Sequence, residues 1–203
     1  MSSVSKMIER LRRTLKDEDK NSFTDEELVD YISDGISFVR RIVLEHNPEY
    51  LSKIIADGYL PKGTNRIDFH SEASYLLSVR VDGKELKRQH FSDIDDLSEE
   101  GVPKKYCSLG DKTVLVYPLP EKDCKYTVFG VIKQPAVTAN TILPFDNDIN
   151  SLVAEYAIAR AGMSDHFQIS QETQLMSVLV SQITTLVLRQ NRSEGDVVRG
   201  YYG

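Results

Sequence analysis

The sequence predicts an α+β fold, a helical bundle carrying an inserted antiparallel β-sheet or small β-sandwich, and three observations predict it. Apolar residues recur at helical spacing near both ends of the chain. Between about residues 50 and 140, short runs rich in Val, Tyr, Thr and Phe replace that period. An Asp-Gly pair sits between two such runs, where a tight hairpin needs positive φ. A chain of 203 residues is long enough to bury a core without metal or disulfide support. We therefore read residues 1–203 as a single domain. Its helices are expected at 3–16, 24–46, 146–162 and 168–190, its β insertion at about 50–140, and a C-terminal tail at 192–203.

Each element has its own reason. Met7, Ile8, Leu11 and Leu15 share one face of residues 3–16, while Lys6, Arg10, Arg12, Arg13 and Lys16 form a basic face opposite. That face reads first as a solvated surface and second as a docking site for an acidic partner. Charge reverses at Asp17-Glu18-Asp19, and the segment through Asn21 reads as a linker. Thr24 followed by Glu27 fits a capping box, with Phe23 and Leu28 placed as a hydrophobic staple around it. Leu28, Ile32, Ile36, Val39 and Val43 then form one stripe, which His46-Asn47-Pro48 ends.

In the insertion, residues 75–81 and 84–88 flank Asp82-Gly83 as a type I′ hairpin. Residues 113–117 and 125–133 are further strands, separated by Pro118 and Pro120, and weaker strands fall near 51–55 and 66–69. The helical period returns after Pro144. Ile149, Leu152, Val153, Tyr156 and Arg160 share a side, the alanines between them permit close approach, and Gly162 reads as part of a C-cap. In the last helix Leu175, Leu179, Ile183 and Leu186 form the central stripe, widened by Met176, Val180 and Val187. So wide a stripe implies burial on more than one side.

The chain carries 25 Lys and Arg against 31 Asp and Glu, a net charge of −6, which opposes tight, sequence-independent binding to a polyanion. No run is apolar over the ~20 residues that a membrane span requires, and the N-terminus lacks a signal-peptide pattern. Cys107 and Cys124 have no CxxC spacing, so folding in a reducing compartment is expected. They flank the strand at 113–117, and their spacing leaves a disulfide open. Buried thiols are the reading we adopt.

Chemistry requires a base or nucleophile with an orienting partner. His46, His70, His90 and His166 fall in four different elements or junctions, without paired ligand spacing. Asp146-Asn147-Asp148 resembles the start of a calcium loop but lacks its Gly and its distal Glu, and it sits where a helix prefers a cap. The acidic run 93–100 reads as a solvated loop or as a surface that repels DNA. No catalytic residue, metal site or cofactor is expected, and the chain reads as a structural protein, not an enzyme.

The order of elements points further. Phe23-Thr24-Asp25-Glu26-Glu27-Leu28-Val29-Asp30-Tyr31-Ile32 precedes an insert carrying Val114-Leu115-Val116-Tyr117-Pro118 and Tyr126-Thr127-Val128-Phe129-Gly130. Leu143-Pro144-Phe145 then leads into Leu152-Val153-Ala154-Glu155-Tyr156-Ala157-Ile158-Ala159-Arg160-Ala161. Over residues 22–190 this resembles the head–tail adaptor (connector, or head-completion) proteins of tailed bacteriophages, particularly short-tailed ones. It departs from them in having Phe23 where a Trp often stands.

The resemblance implies a virion protein, assembled in the host cytoplasm, that forms a homo-oligomeric ring, commonly dodecameric, below the portal protein. A tail or nozzle protein docks beneath it, and genomic DNA passes through without specific binding. It also implies a C-terminal segment that reaches along the portal. Here the segment ends in Val197, Val198, Arg199, Tyr201 and Tyr202, residue types suited to an interface and to a short added strand. The alternative from a different class is a monomeric carbohydrate- or peptide-binding β module of a phage tail. A hydrolase built from distant carboxylates is a third reading.

Overall fold

The computed structural model describes residues 3–69, 72–94, 99–163 and 169–199. The chain divides into two compact units, one formed by Met1–Asn47 with Pro135–Gly203 and the other by Pro48–Gln134.

The first unit is built from α1 (Val4–Leu15), α2 (Asp25–His46), α3 (Asn147–Met163) and α4 (Ile169–Arg199). Ser3 caps α1 by accepting from the Lys6 amide, and Val4, Met7, Ile8 and Leu11 are its buried stripe. The returning chain pins this start, because the Val4 and Ser5 amides donate to Thr141 O and Ala139 O. The expected capping box opens α2: the Thr24 hydroxyl accepts from the Glu27 amide at 3.2 Å, and Glu27 Oε2 accepts from the Thr24 amide at 2.8 Å. Phe23 packs edge-on against Tyr31.

Helix α3 touches all three of the others. Val153, Ala154, Ala157 and Ala161 along it are buried, and Gly35 lets α2 approach closely. A Cβ at residue 35 would lie 3.1 Å from Val153 O and 3.2 Å from Tyr156 Cδ1. Phe38 and Tyr156 stack beside this contact at 4.9 Å.

Three expectations for this unit are corrected. Gly162 lies inside α3, which runs on to Met163, so it is no left-handed cap. The buried line of α4 is Leu179, Ile183 and Val187, with Leu186 half-buried and Leu175 exposed. Helix α4 also continues through the expected tail to Arg199. One internal glycine, Gly195, costs a helix only about 1 kcal/mol relative to Ala, too little to stop it.

The second unit contains β1 (Lys53–Leu60), β2 (Arg66–Asp68), β3 (Ala73–Val81), β4 (Lys84–Glu85), β5 (Lys87–Arg88), β6 (Glu100–Gly101), β7 (Lys105–Leu109), β8 (Thr113–Tyr117), β9 (Leu119–Pro120) and β10 (Cys124–Ile132). One sheet has the order β1-β10-β3-β4, a second β2-β8-β7-β5, and β6 and β9 form a short parallel pair. Leu60, Val79 and Val128 of the first sheet join Ile67, Tyr106, Val114 and Val116 of the second in one core.

Asp82 and Gly83, at φ 48° and 77°, make the expected I′ turn. The strand after it divides, however. Lys84–Glu85 pairs with β3, whereas Lys87–Arg88 pairs in parallel with β7 in the other sheet. Leu86 is buried between the two, and its amide still donates to Val79 O.

Candidate assembly surfaces

The charged residues of α1 separate into two groups, which the sequence pattern had merged. Arg12 is not on the solvated face: it is 5% exposed. Its Nη1 lies 2.7 Å from Asp17 Oδ2, its Nη2 lies 2.6 Å from Asp25 Oδ1, and both nitrogens donate to Phe23 O at 3.1 Å. Lys20 adds a bond to the other Asp25 oxygen.

Nor are residues 17–21 a linker. The Asp17 carboxylate is 4% exposed and accepts from the Ser22 and Phe23 amides, which fixes the turn that delivers the chain to the α2 cap. The Ser22 amide foremost, with Phe23, Asn21 and Arg12 behind it, holds the Asp17 carboxyl below its ordinary value against the opposing effect of burial. Hydrogen bonds from Arg12 and then Lys20 do the same for Asp25. The signal was legible in principle, since Arg12 follows buried Ile8 by one helical turn.

The other cations of α1, Lys6, Arg10 and Arg13, are exposed. They follow one another at i, i+4 and i+7 and so form a single row. On α4, Leu175, Val178, Val180 and Leu188 remain exposed on the flanks and back of the buried line, Val178 at 51%. In the β unit Ile54, Tyr59, Phe91 and Val102 are likewise exposed.

The residues examined for chemistry are scattered. His46 ends α2 and His90 precedes a short 3₁₀ turn, both exposed, while His70 and His166 lie outside the described residues. Among the described residues no three His, Cys, Asp or Glu side chains gather as a metal site. Asp146 acts as the expected cap, its Oδ1 accepting from the Ile149 amide at 2.9 Å.

Cys107 on β7 and Cys124 on β10 are free and buried, and they belong to different sheets, so they do not face each other across one sheet. Burial pushes both thiols up. Of the five C-terminal residues expected at the portal, Val197, Val198 and Arg199 fall on the last helical turns of α4. A short added strand there is therefore overturned. Their side chains, with Tyr201 and Tyr202, lie outside the described residues, as does most of the acidic run.

The helical unit and the β unit both leave apolar side chains exposed, among them Val178 and Leu188 of α4 and Ile54 and Tyr59 of β1. The family model described as SU10 adaptor protein matches residues 2–199, and the chain belongs to that family. It is a phage adaptor, as the order of its motifs implied. None of the curated proteins compared with the chain matches it.

Proposed function

We propose that this adaptor forms a dodecameric ring below the portal, and that the ring joins portal to tail and conducts DNA. The observation that carries this reading is α4. With Leu179, Ile183 and Val187 already buried, it still presents Leu175, Val178, Val180 and Leu188, more apolar surface than a solitary subunit hides. Membership of the adaptor family over residues 2–199 supplies the context. The net charge of −6 suits a conduit that DNA slides past.

The C-terminal residues Val197, Val198, Arg199, Tyr201 and Tyr202 are the proposed contact with the portal. Because α4 is helical to Arg199, the mode is a helix end laid into a groove. Truncation after Asn191 removes about two helical turns. The truncated protein is expected to fold, as read by circular dichroism, and to fail to co-sediment with portal rings. Normal attachment defeats this assignment. Native mass spectrometry, alone and with portal, reads the copy number. The isolated protein should show no submicromolar, salt-sensitive affinity for duplex DNA.

A second reading, a monomeric carbohydrate- or peptide-binding β module, draws on a pocket of 450 Å³ in the β unit. Val81, Lys84, Val102, Pro103 and Pro120 are among its lining residues. A strictly monomeric mass in the presence of portal, together with ligand binding at this pocket, would favour it.

A further inference from the structure

Two rows of like charge, opposite to each other in sign, run along exposed faces of α1 and α2 in the helical unit. On α1 the exposed cations are Lys6, Arg10 and Arg13. Between residues 25 and 39, α2 carries Asp25, Glu26, Glu27, Asp30 and Asp34 and no basic residue. Asp25 is taken by Arg12 and Lys20, and Glu27 by the Thr24 cap. Glu26, Asp30 and Asp34 remain, all exposed and each about one helical turn from the next. None of these six side chains takes part in an ion pair among the described residues. Arg13 only donates from Nε to the Glu9 carbonyl at 3.3 Å.

The electrostatics of the two helices does not account for the rows. A helix dipole favours acids in the first turn and cations in the last, and its effect fades within that turn. It covers Glu26 and Arg13 alone. Lys6 stands in the first turn of α1, where a cation is disfavoured, and Arg10 stands in mid-helix. Asp30 and Asp34 fall in the second and third turns of α2. Like charges one turn apart also repel within their own helix. Each row therefore costs its helix stability that only an outside partner returns.

We propose that the α1 row of one copy lies along the α2 row of a second copy of this chain. Lys6, Arg10 and Arg13 of the one then face Glu26, Asp30 and Asp34 of the other. The rows match in length, about 10.5 Å on α1 and about 12 Å on α2 at 1.5 Å per residue. Glu9 beside the first row and Arg41 beyond the second carry the opposing sign and mark where the contact stops. A chain with both halves of a contact on different helices suits a head-to-tail arrangement, the kind that closes into a ring. A nucleic-acid backbone fits only the α1 row and leaves the α2 row without a partner. The contact rests on the ring reading's premise that copies associate, and it supplies what that reading lacks, the charged faces through which they do.

The test is native mass spectrometry of the full chain, alone and on portal rings. Two variants each reverse one row: Lys6→Glu, Arg10→Glu, Arg13→Glu in the first, and Glu26→Lys, Asp30→Lys, Asp34→Lys in the second. Either variant by itself sets like rows together at every contact, and its assembled fraction should fall by about tenfold or more. All six positions are exposed, so both variants should fold, which circular dichroism checks. If one does not, the single reversals Arg10→Glu and Asp30→Lys read the same effect. Mixed in equal amounts, the two variants should assemble in alternation, because every α1 row then meets an α2 row of opposite sign. One chain carrying all six reversals should assemble by itself for the same reason.

Variants that assemble as well as the unaltered chain overturn the proposal and leave the ring reading standing. Loss without recovery, in the mixture and in the sixfold variant, means that the rows meet other proteins, and it also overturns the proposal. Loss and recovery in an assembly that stops at two copies uphold the paired rows and overturn the ring. An unaltered chain that stays monomeric even on portal rings overturns both.

Discussion

The two units spend charge differently. In the helical unit, Arg12, Asp17 and Asp25 sit at the junction of α1 and α2, with Arg12 and Asp17 almost fully buried and tied to backbone atoms. In the β unit, the corresponding groups are surface pairs: Arg66 with Asp68, and Lys133 with Glu72 and Asp111, all about half exposed. The first arrangement shapes the chain, because losing one partner strands a buried charge. The second decorates strands already held by their ladders and a common apolar core. Ion pairs of similar length thus do different work, and what separates them is burial and backbone bonding.

The largest expected effects test the apolar half of this contrast. Ile32→Ala, fully buried on α2, should lower stability by about 2–5 kcal/mol in denaturant titration. A loss near zero would mean that the helical core is not closed as described. Gly130→Ala should cost about 1–3 kcal/mol, because the new Cβ would lie 2.8 Å from Tyr75 O and 2.9 Å from Ile55 Cδ1. The change should appear first as faster amide exchange in β3 and β10. Thr24→Ala removes the acceptor for the Glu27 amide and should cost about 1 kcal/mol, with secondary structure retained; an unchanged melt would contradict the capping box.

The smallest effects probe charge directly. Asp17 and Asp25 have folded values below their unfolded ones. Their contribution is complete above the unfolded value and is lost as pH falls through the folded one, so the α1–α2 junction should loosen below about pH 4. Asp17→Asn should flatten that acid limb. Asp68 and Glu72 are also held low, chiefly by hydrogen bonds from Arg66 and Lys133 respectively. Being exposed, they should drift towards ordinary values in about 1 M salt while Asp17 does not. Carboxyl NMR titrations at two salt concentrations read all three, and equal drift would erase the distinction.

How much of this was legible in the sequence follows the same division. The α2 cap, the Asp82-Gly83 turn and the strand Thr113–Tyr117 depend on neighbours in sequence, and they were read directly. Strand β7 was missed because Lys-Tyr-Cys-Ser-Leu is short and mixed, and is extended only by its register against β8. The change of sheet at Leu86 likewise depends on a partner some twenty residues away, which no local pattern reports. Among candidate site residues, the basic row of α1 was visible; Arg12 was grouped with it, although its spacing from Ile8 pointed inward, because the two carboxylates that hold it lie beyond the helix.

One feature of the β unit bears on its history. Its first strand, β1, pairs with its last, β10, and Lys53 stands opposite Gly130. The segment Pro48–Gln134 therefore begins and ends at adjacent points, as a module must if it is to be spliced into a loop without stretching its host. A segment whose ends are adjacent can be lengthened, replaced or removed without changing the order of the helices that flank it. Replacing 48–134 by a short Gly-Ser bridge is the laboratory form of that exchange.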